Sequence, residues 1–129
     1  MAGRDPAATV NQLMDAINQQ NVEAALALYE PEAVLLAEPG KPARGTAAIR
    51  TALQGFIALH PTLTGATQHV IEQGELAQYA SAWSLKGTTP DGRPVQMGGT
   101  SSDVLRRHAD GTWLIVIDNP WGTGQPKGM

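Results

Sequence analysis

The chain has 129 residues, no cysteine and a formal net charge of -3. That length suits one domain with a core and a modest cavity, while the charge, with no basic run, excludes the electrostatic footing that nucleic-acid binding needs. Without cysteine there are no disulfides, thiol nucleophiles or thiolate metal sites. No apolar run approaches a membrane span, and Met1 to Val10 lacks the apolar centre of a signal peptide. A cytoplasmic protein, bound neither to membrane nor to nucleic acid, is therefore expected.

Asp5-Pro6 reads as an N-cap followed by proline in a first helical turn. Val10, Leu13, Met14 and Ile17 then recur at the spacing of one helical face. Asn21 is placed to cap a second helix carrying Val22, Ala25, Leu26, Leu28 and Tyr29, which Pro31 closes. Ala33 to Glu38 reads as a first strand, and Pro39, Gly40, Pro42 and Gly45 as a loop. Thr46 is the expected cap of a third helix with Ile49, Leu53, Phe56 and Ile57 on its apolar face. His60-Pro61 ends it, because the residue before proline avoids the helical region.

Beyond Pro61 the period becomes strand-like. Strands are predicted at about Ala66 to Gln73, Leu76 to Thr88, Arg93 to Arg107 and Thr112 to Asp118. Asp91-Gly92 and Asp110-Gly111 mark tight hairpin turns, and Gly98-Gly99 marks a bulge or bend. Helix, helix, strand, helix and strand meander define an α+β protein with helices on one face of an antiparallel sheet. Residues 1–121 form the domain, and the Gly- and Pro-rich stretch 122–129 is expected to be a flexible tail. Alternation puts Asp103 on the apolar side of its strand, with Val95, Met97 and Leu105. The same rule groups Asp118 with Leu114 and Val116, against Trp113, Ile115 and Ile117. A strand apolar on both sides needs two covers, and a homodimer through the outer face of the sheet would supply the second.

The stretch LYEPEAVLLAEPGKPARGTAAIR, Leu28 to Arg50, resembles bacterial ketosteroid isomerases. The ending SDVLRRHADGTWLIVIDNPWG, Ser102 to Gly122, resembles the SnoaL-like polyketide cyclase and DUF4440 branch of the same NTF2-like superfamily. The resemblance implies the NTF2-like cone, a curved antiparallel sheet and three helices enclosing an apolar pocket. Ketosteroid isomerases use an aspartate before a proline as base, and the corresponding position here is Glu38-Pro39. Their second, neutral aspartate, which donates to the oxyanion, corresponds to Asp103. Their helix-one tyrosine corresponds to Leu13, which cannot donate, and this argues against steroid isomerisation itself. SnoaL-like cyclases depend on an aspartate of the last strand, and Asp118 is similarly placed.

The implied activity is acid–base catalysis of the isomerase or cyclase type, without a cofactor, on a small, mainly apolar, carbonyl-bearing molecule. Asp118 would be the acid/base, Asp103 the neutral donor, and Glu38 a second base or mouth residue. Met14, Phe56, Trp83, Met97 and Trp121 would line the pocket. Each has a plainer reading: Asp118 as a turn residue, Asp103 as a partner of Ser101, Glu38 as a solvated loop charge, and the apolar side chains as core. Two rival functions use the same pocket, a binding or accessory domain without chemistry and an epoxide-opening enzyme. His60, His69 and His108 share no metal-ligand spacing, so no metal is expected.

Overall fold

The computed structural model describes residues 2–122, so the expected tail lies, Gly122 apart, outside the described residues. Helix α1 spans Pro6–Asn18, and its first turn is capped by Asp5, whose Oδ1 accepts from the Ala8 N–H at 2.8 Å. Helix α2, Val22–Leu26, is capped in the same way by Asn21, which accepts from the Ala24 N–H at 3.0 Å. It is shorter than the sequence suggests, and Tyr29 leaves it to open strand β1, Tyr29–Glu38. Pro31 therefore lies inside a strand. It is tolerated because it sits where the pairing of β1 slips between Tyr29 and Val34, and β2 pairs only from Val34 onward.

The expected loop holds a short strand, β2, Lys41–Arg44, which returns along β1. Helix α3 runs Gly45–Ile57 with Arg44, not Thr46, at the cap position and no side-chain cap bond. Gly45 enters it at φ +82°, a conformation that costs glycine little. Then come β3 (Thr62–Gln73), β4 (Leu76–Thr88), β5 (Pro94–Arg107) and β6 (Trp113–Asp118). The Gly92 and Gly111 turns take positive φ, as hairpin chemistry requires. The β4–β5 ladder passes Gly98 and Gly99 without a slip, so no bulge lies there. Gly98 instead makes room for a neighbour: a Cβ on it would stand 2.7 Å from the Trp83 carbonyl oxygen.

The six strands order as β2-β1-β6-β5-β4-β3. All neighbours are antiparallel except β1 and β6, which run parallel. Helix α1 lies against β3, β4 and β6, and α3 against β1 and β2. Val10, Leu13 and Ile17 of α1 and Ile49 and Leu53 of α3 are buried against Leu35, Leu105, Trp113 and Ile115 of the sheet. This is the expected α+β cone.

Candidate active site

On the inner face of β5, Leu105, Asp103 and Ser101 alternate, opposite Ala77, Tyr79 and Ser81 of β4. Strand β6 does not keep that simple alternation. Leu105 pairs with Ile115 but Val104 pairs with Ile117, so β6 carries one extra residue at Val116. Alternation groups Asp118 with Leu114 and Val116, and a regular strand would have left it beside them on the outer face. The bulge instead turns Ile117 outward and Asp118 inward, beside its parallel partner Leu35. In the continued register Asp118 falls opposite Asp103. The adjacent Ser102 N–H bonds the Asn119 carbonyl at 2.8 Å, which makes the aspartate pair the non-hydrogen-bonded kind, where facing side chains come closest.

Both carboxyls are buried, Asp103 at 5% and Asp118 at 8% exposure, and they interact directly. Asp103 Oδ1 accepts from the Asn119 backbone N–H at 2.8 Å. Asp118 Oδ2 accepts from the Tyr29 hydroxyl at 2.5 Å. Burial, and then the charge of Asp118, push the Asp103 carboxyl well above the usual carboxylate range. Burial also raises Asp118, but the bonds from Tyr29 and Asp103 pull against it. Asp118 is thus the first of the pair to ionise and Asp103 the one that keeps its proton. Burial and the Asp118 charge hold Tyr29 well above the usual phenol range, so it stays a donor.

Tyr29 is the residue that sequence reasoning misplaced. As part of α2 it was core; as the first residue of β1 it reaches Asp118. The usable signal was Pro31, which forces extended backbone on Glu30, together with the strand preference of tyrosine. A hydroxyl donor therefore does reach the carboxylates, from β1 and not from Leu13.

The carboxylates lie in a cavity of about 90 Å³ that opens to solvent. Its helical wall is Val10, Leu13, Met14, Ile17, Leu53 and Phe56. Its sheet wall carries the polar groups of Tyr29, Ser81, Ser101, Asp103 and Asp118. Of the residues expected to line it, Met14, Phe56 and Trp83 do so. Met97 is half-buried and outside the lining, although its cross-strand partner Leu85 is part of it. Trp121 is also outside the lining. It packs edge-on against Trp83 with ring centroids 5.5 Å apart, and its Nε1 donates to the Leu36 carbonyl at 3.0 Å. Glu38 is not part of the site: its side chain is 64% exposed, at the β1–β2 turn, and pairs with Lys41 at 3.1 Å. Among the described residues no group of three His, Cys, Asp or Glu gathers to hold a metal ion, and no helix is long and apolar enough to cross a membrane.

The cone and its inward aspartates define an NTF2-like protein. A SnoaL-like domain model matches residues 10–116, and the chain belongs to that family. No curated protein matches it in sequence. Among solved structures, a nuclear transport factor 2 (NTF2-like) superfamily protein from Salmonella enterica serovar Typhimurium superposes with a TM-score of 0.76 at 21% identity. That match covers 93% of this chain and 92% of the other. A ketosteroid isomerase-like protein from Erwinia carotovora atroseptica gives 0.72 at 21% identity, covering 84% and 86%. An NTF2-like protein of unknown function from Shewanella oneidensis gives 0.69 at 16% identity, covering 84% and 89%. These likenesses are of fold.

Proposed function

We propose that the protein is a cofactor-independent acid–base catalyst of the isomerase or cyclase type, acting on a small, mainly apolar carbonyl compound. The observation that carries this reading is the chain of contacts from Tyr29 to Asp118 to Asp103 at the polar wall of an otherwise apolar cavity. Ionised Asp118 removes the proton from the carbon beside the carbonyl. The C–H electron pair becomes the C=C bond of an enolate, whose oxygen takes a hydrogen bond from neutral Asp103. Asp118 then returns the proton to carbon, and nothing is consumed. Tyr29 holds Asp118 in place and favours its charged form.

The test is proton exchange. Wild-type protein in heavy water should place deuterium beside the carbonyl of cyclohexanone. Asp118→Asn, which keeps size and hydrogen bonding, should slow this by roughly a hundredfold or more with the fold intact. Unchanged exchange in that variant removes Asp118 from the chemistry. A binding pocket without chemistry is the second reading, supported by the closed bonding of the site: no buried side-chain polar atom among the described residues lacks a partner. That reading expects cyclohexanone to bind without exchange.

A further inference from the structure

The polar wall extends beyond the two carboxylates. Ser81 and Ser101 face each other across β4 and β5 with their hydroxyl oxygens 2.9 Å apart, and both line the cavity. They are 4% and 5% exposed. Ser101 is two residues from Asp103 on the same face of β5, a step of roughly 6.6 Å along a strand. The pair therefore sits about one small ring away from the reacting end of the cavity.

A count of protons fixes what the pair has left to offer. Each hydroxyl has one proton and two lone pairs. One proton lies between the two oxygens, and either serine can supply it. The Ser81 backbone N–H, at 3.1 Å, occupies a lone pair of Ser101 Oγ and uses no hydroxyl proton. Among the described residues the two hydroxyls make no other hydrogen bond. If Ser81 donates within the pair, the Ser101 proton is free; if Ser101 donates, the Ser81 proton is free. Both orientations leave one buried O–H donor at the cavity wall.

We infer that the serine pair is a specificity-determining donor subsite, so that the substrate carries a second oxygen acceptor, a ketone or an ether, across a small ring from the reacting carbonyl. A ligand that fills the cavity excludes water from the free proton, and must then accept from it or leave a buried donor unpaired. Sites of this kind reject an analogue that lacks the matching group more firmly than one of altered size. The apolar edge of the ring lies against Met14, Leu53 and Phe56. The cavity of about 90 Å³ suits a single ring that reaches the mouth, since a closed cavity of roughly 150 Å³ takes up a whole benzene. This rests on the carbonyl end proposed above and adds the other end.

The experiment compares two probes of one shape by calorimetry, cyclohexane-1,4-dione and 4-methylenecyclohexanone. The second has a methylene where the first has its distant oxygen. The ratio of the two affinities should be about tenfold higher in the wild type than in Ser81→Ala/Ser101→Ala, which has neither proton. Ser81→Ala alone should keep the wild-type ratio, because Ser101 retains a free proton and its bond from the residue-81 N–H. Unchanged cyclohexanone affinity checks that the double variant is folded. Should it not fold, Ser81→Ala/Ser101→Cys takes its place, since a thiol still accepts from the N–H but is only a weak donor. A ratio equal in the wild type and the double variant overturns the inference. So does a ratio that already collapses in Ser81→Ala, or a failure of both probes to bind. Failure of the catalytic reading is seen separately, as absence of deuterium uptake by bound cyclohexanone.

Discussion

Tyr29 and Asp118, 89 residues apart in sequence, are joined by a buried hydrogen bond of 2.5 Å. The bond favours the ionised form of Asp118 against the burial that opposes it. Tyr29→Phe keeps the ring and removes only the hydroxyl. The apparent pKa of the base should then rise, moving the acid limb of the exchange rate to higher pH, and the rate near neutrality should fall by roughly tenfold. An unmoved pH profile would leave Tyr29 as packing alone.

Asp103 makes stability depend on pH in a direction unlike most carboxylates. Its folded-state pKa is raised, so its contribution is full below the unfolded value of about 3.9 and is lost as pH rises through the folded value. Wild-type stability to urea should therefore decline from about pH 4 upward. Asp103→Asn keeps an acceptor for the Asn119 N–H and a donor toward Asp118 but cannot ionise. It should remove most of the slope and be the more stable protein at neutral pH, by about 1.4 kcal/mol for each pH unit between the two Asp103 values. The slope that persists belongs to Asp118. A wild-type profile that is flat above pH 4 contradicts this.

The turn after β6 is fastened by two indoles. Trp83 Nε1 donates to the Pro120 carbonyl at 2.6 Å, and Trp121 Nε1 to the Leu36 carbonyl at 3.0 Å. Trp121→Phe retains an aromatic ring against Trp83 and loses the second bond. The expected cost is about 1 kcal/mol, or about 4 °C in melting temperature, read by calorimetry. No change would mean that the Leu36 carbonyl finds another partner at no cost.

Ile117 is 42% exposed on the outer face of the sheet, beside the half-buried Val104, Leu114 and Val116. We propose that a second copy of the chain covers this face. Trp113 and Ile115, which alternation groups with Ile117, are buried inside. Sedimentation should show a dimer for the wild type and a monomer for Ile117→Lys, since an unpaired charge at an apolar interface is costly. A wild-type monomer at high micromolar concentration ends the proposal.

Helical spacing was enough to find Met14 and Phe56, because α1 and α3 are regular and one-sided. The Asp-Gly turns bounded β4, β5 and β6 to within a residue or so. Asp103 stood out as an acid on an apolar face of a strand that keeps its register. Asp118 was found on the strength of a resemblance, while the alternation used to orient it fails at Val116. Periodicity displays a pleat but not the skipped residue of a bulge, which depends on the neighbouring strand. Tyr29 was illegible for a related reason: where α2 stops and β1 starts is decided by pairing with β6, whose Ile115 N–H bonds the Leu28 carbonyl at 2.9 Å. Glu38 was misread because a match of motif, an acid before a proline, does not show that the strand has already reached solvent there.

Strand β6 stands between β1 and β5. On one side is the β1–β2 hairpin with α3 packed on it, and on the other the β3–β4–β5 meander. Each is built from contacts near in sequence and can form early, whereas the parallel β1–β6 pairing closes a loop over most of the chain and is the slow kind of step. Until that pairing forms, β1 and β6 are open edges able to pair with other chains. The strand that closes the sheet also brings Asp118. The event that brings Asp118 to Tyr29 therefore also removes these two exposed edges, and a half-assembled molecule, the form most prone to aggregate, is one in which the Tyr29–Asp118 bond has not formed.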